Sequence, residues 1–64
     1  MAFRIIADSC PDGPCPRFVL DEVSGDVFVQ GYLTDEQPVS LPTGEGFLRI
    51  PAAAWRDMFA QLRA

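Results

Sequence analysis

Histidine, lysine and asparagine are absent from the chain. Without histidine there is no imidazole to serve as a general base near neutral pH or as a nitrogen ligand to a metal. Without lysine, Gly44-Glu45-Gly46 is no phosphate loop, because both the spacing and the phosphate-reaching amine are missing. No serine sits in an activating context. The carboxylate pairs Asp21-Glu22 and Asp35-Glu36 are sequence neighbours in polar surroundings, where nothing raises a carboxyl pKa for acid–base work. The expectation is a protein that is not an enzyme. Long apolar runs are missing too, and nothing approaches the ~20 residues of a membrane span. The opening MAFRIIADSC has a short apolar run with Arg4 inside it, unlike a secretory leader. A cytoplasmic protein that does not meet the membrane is expected.

Positive charge is scarce. The cations are five arginines, Arg4, Arg17, Arg49, Arg56 and Arg63, scattered along the chain against nine acids, for a net charge of −4. Binding to a phosphate backbone needs clustered Lys and Arg, so direct nucleic-acid binding is not expected. An acidic surface favours a basic protein partner instead. The acids Asp21, Glu22, Asp26, Asp35, Glu36 and Glu45 form either a solvated face or such a docking surface.

What is abundant is apolar side chain. It makes up 48% of 64 residues, and the mean hydropathy is +0.11. A chain this short forms one domain, residues 1–64, with little interior to hold that supply. Contiguous apolar surface marks an interface. A protein partner or self-association as a homodimer is therefore expected.

Ala2 to Asp8 reads as a strand, with Phe3, Ile5 and Ala7 on one face. SCPDGPCP, residues 9 to 16, holds three prolines and a glycine and is a turn. Arg17 to Val23 reads as a second strand. Ser24-Gly25-Asp26 is a hairpin signal with Gly25 at positive φ. Val27 to Leu33 reads as a third strand, with Val27, Val29 and Leu33 on one face and Phe28, Gln30 and Tyr32 on the other. Gly31 interrupts it, as a bulge or a close backbone approach would. Thr34 to Gly46 is a polar loop, and Phe47 to Ile50 a last short strand. Pro51 opens a C-terminal helix at its first turn. Trp55, Met58, Phe59 and Leu62 form its apolar stripe, while Arg56, Asp57, Gln61 and Arg63 face away. The expected fold is α+β, a small antiparallel sheet of three to four strands with the helix packed on it.

Both cysteines, Cys10 and Cys15, lie in SCPDGPCP with the spacing C-x4-C. A tetrahedral zinc site takes four ligands, so two thiols would need a second copy or carboxylates such as Asp8 and Asp12. Redox pairs use C-x-x-C at a helix N-terminus, whereas Pro16 and a strand follow here. A disulfide across the turn would stabilise by roughly 2 kcal/mol on the loop-entropy model, but cytoplasm keeps such bonds reduced. The remaining reading is two thiols packed as small hydrophobes beside a turn.

Two stretches carry a family resemblance. One is Cys15-Pro16, a strand, a Gly turn and Val29-Gln30-Gly31-Tyr32. The other is Ile50-Pro51-Ala52-Ala53-Ala54-Trp55 followed by Phe59 and Leu62. The pattern is similar to small acidic actinomycete proteins with no assigned biochemical function. Its C-terminal part resembles a larger actinomycete domain family of unknown function, in which a strand leads into a Pro-Ala-x-Trp-x-x-Phe-like helix. Such proteins are commonly encoded beside helix-turn-helix regulators. The resemblance implies an accessory or antagonist partner of a DNA-binding regulator, and it brings no catalytic residues.

The expected function is thus a small protein-binding module, acting on a regulator or as a homodimer without a cofactor. Val27, Phe28, Val29, Tyr32, Trp55 and Phe59 are its expected contact residues. The alternative is a zinc or thiol-redox protein built on Cys10 and Cys15.

Overall fold

The computed structural model describes residues 2–9 and 16–63. Among the described residues five strands precede one helix: β1 (Phe3–Asp8), β2 (Arg17–Asp21), β3 (Val27–Gln30), β4 (Tyr32–Leu33), β5 (Leu48–Arg49) and α1 (Ala52–Arg63). The first three form an antiparallel sheet in the order β1-β2-β3, and β4 with β5 forms a separate antiparallel ribbon. The helix packs on the three-stranded sheet, chiefly along β1. The architecture is α+β. No helix among the described residues is long and apolar enough to cross a membrane.

Local chemistry fixes the β2–β3 hairpin. Asp21 Oδ1 accepts the N–H of Val23 at 2.9 Å and that of Ser24 at 3.3 Å, an Asx turn that steers the chain back on itself. Gly25 takes φ 85°, a conformation open to glycine at no steric cost, and its N–H reaches the Asp21 carbonyl at 2.8 Å. The Asp21 N–H then closes the turn on the Asp26 carbonyl at 2.9 Å. The strand ends at Asp21 because the Asx turn consumes Glu22 and Val23, which were expected to extend it.

The Val23 N–H holds the Asp21 carboxyl below its ordinary range, partial desolvation opposes this, and the Ser24 N–H and hydroxyl add to the lowering. A carboxyl depressed in the folded state stabilises above its unfolded pKa, about 3.9, and loses that contribution as pH falls through the folded value. Asp21→Asn is therefore expected to lower the urea midpoint at pH 7, with the gap from wild type closing below about pH 4. A gap that stays constant down to pH 2.5 would show that the charge of Asp21 does not hold the turn.

Two departures from the expected strands have clear causes. Register shifts between Ile5 and Ala7, so Ile5 pairs with Val19 while Ala7 pairs with Phe18. A bulge inserts one residue and turns the following side chain to the opposite face. Phe3 and Ile5 therefore share the face away from the helix, and Ala7 enters the seam with α1. The second departure is at Gly31. A Cβ there would lie 3.3 Å from the Arg49 carbonyl oxygen, from Ile50 Cγ1 and from Leu48 Cβ. The chain leaves the main sheet at this close approach, and Tyr32 and Leu33 pair with Arg49 and Leu48 instead.

The core is small. Ala7 is 2% exposed and Met58 is fully buried, and Pro16 completes the buried set among the described residues. Around them Phe18 of β2 meets Trp55 edge-on at 6.3 Å, and Trp55 leans on Phe59 at 5.4 Å. Such ring pairs contribute about 0.5–1.5 kcal/mol beyond area burial. Arg63 lies over the Phe59 ring at 5.4 Å, in the last turn where a cation also suits the helix dipole. The Trp55 N–H bonds to the Pro51 carbonyl at 2.9 Å. Pro51 is thus the N-cap, one position before the first helical residue.

Gln61 does not face away. Its side-chain amide reaches the outer edge of β1, accepting the Asp8 N–H at 2.9 Å and donating to the Asp8 carbonyl. One side chain takes the place of a neighbouring strand at that point.

Candidate interaction surfaces

Cross-strand pairing sorts the sheet side chains onto two faces, because directly opposed residues project to the same side. The helix side carries Ala7, Phe18 and Val29 in one row and Arg4, Leu20 and Val27 in the next. The far side carries Ile5, Val19 and Phe28 in one row. Phe3 joins them, its ring edge-on to Phe28 at 5.9 Å. Phe3 and Ile5 are each 49% exposed and Phe28 is 56% exposed. Four apolar side chains spanning all three strands thus form a patch open to water.

A second apolar surface lies on the helix. The stripe of Trp55, Met58, Phe59 and Leu62 exists, but only Met58 is enclosed, and the other three remain 43–44% exposed. The helix lies along β1 and leaves β3 bare, so Val27 and Val29 are exposed as well.

Of the expected contact residues, the fold groups Phe28 with Phe3, and Trp55 with Phe59. Val27 and Val29 line the helix side of β3. Tyr32 stands apart, opposite Arg49 in the ribbon. Leu33, expected on one face with Val27 and Val29, is 91% exposed in that same ribbon. Three residues of the far patch, Phe3, Ile5 and Val19, were not among the expected contacts. Phe3 and Ile5 were read on one face with Ala7, and the bulge after Ile5 separates Ala7 from them, while Val19 of β2 carried no such signal.

Between the ribbon and the loop that joins its two strands runs an open groove of about 500 Å³, lined by Thr34, Glu36, Gln37, Pro38, Phe47, Leu48 and Arg49. Arg49 bonds to the Glu36 carboxylate along it, and the Thr34 hydroxyl accepts the Glu36 N–H at 3.1 Å. Both charges of the pair are well exposed, so the pair adds little to stability. The Thr34 hydroxyl also donates to the Glu36 carboxylate at 3.5 Å.

Cys10 and Cys15 lie outside the described residues. Among the described residues no group of three or more acidic, cysteine or histidine side chains gathers to hold a metal. The ends of the cysteine segment are joined by the Ser9 N–H, which bonds to the Pro16 carbonyl at 3.2 Å.

No family model, curated protein or solved structure matches the chain.

Proposed function

We propose that the chain is a small protein-binding module. The observation that carries this reading is its surface. The accessible area is 5018 Å², about 1000 Å² more than the roughly 4000 Å² that size scaling gives for a folded protein of 7.0 kDa. The radius of gyration, 12.9 Å, likewise exceeds the roughly 11 Å of a compact domain of this length. The excess includes large apolar side chains on both faces of the sheet. A partner that covers them supplies the burial that so small a core does not.

The net charge of −4 favours a partner with a basic docking face. The resemblance to small acidic proteins encoded beside helix-turn-helix regulators suggests the partner class, a DNA-binding regulator that the module assists or restrains. In this reading the module acts in the cytoplasm, with no cofactor and no nucleic-acid contact of its own.

The test is affinity capture from the native host, comparing the wild-type chain with Phe3→Asp. Phe3 lies on the open far patch, so its replacement spares the seam with α1. Wild type is expected to retain a stoichiometric protein partner or its own copy, and Phe3→Asp to retain that partner about tenfold less. A wild-type chain that sediments as a monomer and retains nothing would end the proposal.

A further inference from the structure

We infer that the partner covering β3 is a second copy of the chain, joined to the first by antiparallel β3–β3 pairing into one six-stranded sheet. The inference rests on the protein-binding reading and names the partner and the contact.

The first support is the hydrogen-bond phase of β3. The Asp21 N–H bonds to the Asp26 carbonyl, and pairing runs on in register from Leu20–Val27 to Arg17–Gln30. Antiparallel ladders alternate bonded and non-bonded pairs. Phe28 and Gln30 therefore point their main-chain groups inward to β2, while Val27 and Val29 point theirs outward. Among the described residues no hydrogen bond meets these outward groups. They form a template for another strand.

The second support is the contrast between the two edges of the sheet. The β1 edge is blunted in three ways that oppose strand addition. A bulge interrupts it between Ile5 and Ala7, Arg4 places a charge in it, and Gln61 occupies the main-chain groups of Asp8. The β3 edge, Val27-Phe28-Val29-Gln30, carries no charge, no proline and no bulge.

The third support is self-complementarity. A two-fold axis at Phe28 sets Val27 against Val29 of the second copy, and Val29 against its Val27. Both pairs are then hydrogen-bonded pairs, which gives four new main-chain bonds. Phe28 stands opposite Phe28 of the second copy, extending each far patch into the other. Asp26 falls opposite Gln30, so no carboxylate faces a carboxylate despite the acidity of the chain. An isologous contact needs this kind of self-match.

The experiment is sedimentation of the full chain together with two variants. Wild type is expected at twice the monomer mass of 7.0 kDa. Val29→Pro removes only an outward N–H, so the hairpin ladder keeps its bonds. It is expected to sediment at the monomer mass with the wild-type far-UV circular dichroism. In a Cys10→Ser, Cys15→Ser background, Phe28→Cys is expected to cross-link on mild oxidation. Opposed non-bonded pairs place Cα atoms about 4.5 Å apart, within disulfide range. Val23→Cys, in the hairpin turn, is expected to stay uncross-linked. A chain that is monomeric at about 1 mM, or a dimer that survives Val29→Pro and does not cross-link at position 28, overturns the inference. A monomer that captures a different protein through Phe3 also overturns it, and leaves the protein-binding reading standing.

Discussion

Met58→Ala is expected to remove about half of the stability of the domain. Met58 is the one large side chain among the described residues that is wholly enclosed. Truncating a buried methionine to alanine costs about 2–5 kcal/mol, partly for lost transfer and partly for the cavity left behind. Stability of about 0.05–0.15 kcal/mol per residue gives a chain of 64 residues roughly 3–10 kcal/mol in all. The melting temperature should fall by more than about 10 °C, since each kcal/mol moves a domain of this size by about 4–8 °C. Met58→Leu keeps the volume and should cost less than about 1.5 kcal/mol. Thermal melts followed by circular dichroism check both. A Met58→Ala melt within a few degrees of wild type would mean that the seam between helix and sheet is not what holds the fold.

Ala7→Leu attacks the same seam from the other side. Ala7 is the β1 residue that the bulge turns toward α1, and it is 2% exposed. Added methylenes in a filled site cost about 1–3 kcal/mol, because neighbours must shift or adopt strained rotamers. The helix should lift from β1 and loosen the contact of Trp55 with Phe18. Trp55 is the only tryptophan of the chain, so its emission should move to longer wavelength as it gains water. The combined variant sharpens the test. A leucine at position 7 can fill part of the space vacated at position 58, so the double variant should lose less than the two singles together. Strict additivity would place the two residues in separate packing environments.

The sequence carried the elements well because each had local chemistry behind it. Ser24-Gly25-Asp26 specified the hairpin, and Gly25 does take positive φ. The stripe from Trp55 to Leu62 and the proline before it located the helix to within one residue. Two of the features that escaped are tertiary. Nothing in FRIIAD marks Ile6 as an extra residue, since the register of β1 is set by its pairing with β2. Gln61 read as solvent-facing because a polar residue off the apolar stripe looks that way in one dimension, and its partner at Asp8 is 53 residues away. The exposed apolar surface was legible in kind rather than in place. Composition announced a surplus of apolar groups. Their division between two faces depended on where the helix came to rest, and the bare edge at β3 on the chain leaving the sheet at Gly31.

The clamp between Gln61 and Asp8 also bears on the order in which the molecule assembles. The β2–β3 hairpin closes over a turn of a few residues, a microsecond event. The seam of α1 on β1 must instead bring together residues 53 positions apart, which carries the entropy of closing a long loop before any reward of burial. The hairpin is thus the natural first structure and the seam the last. Helix substitutions such as Met58→Ala then act mainly by hastening unfolding, whereas those in the Asp21 turn slow folding. Until the seam closes, the main-chain groups of Asp8 on the β1 edge are open as well. The growing structure is most exposed to wrong pairing along β1 in the interval before Gln61 arrives.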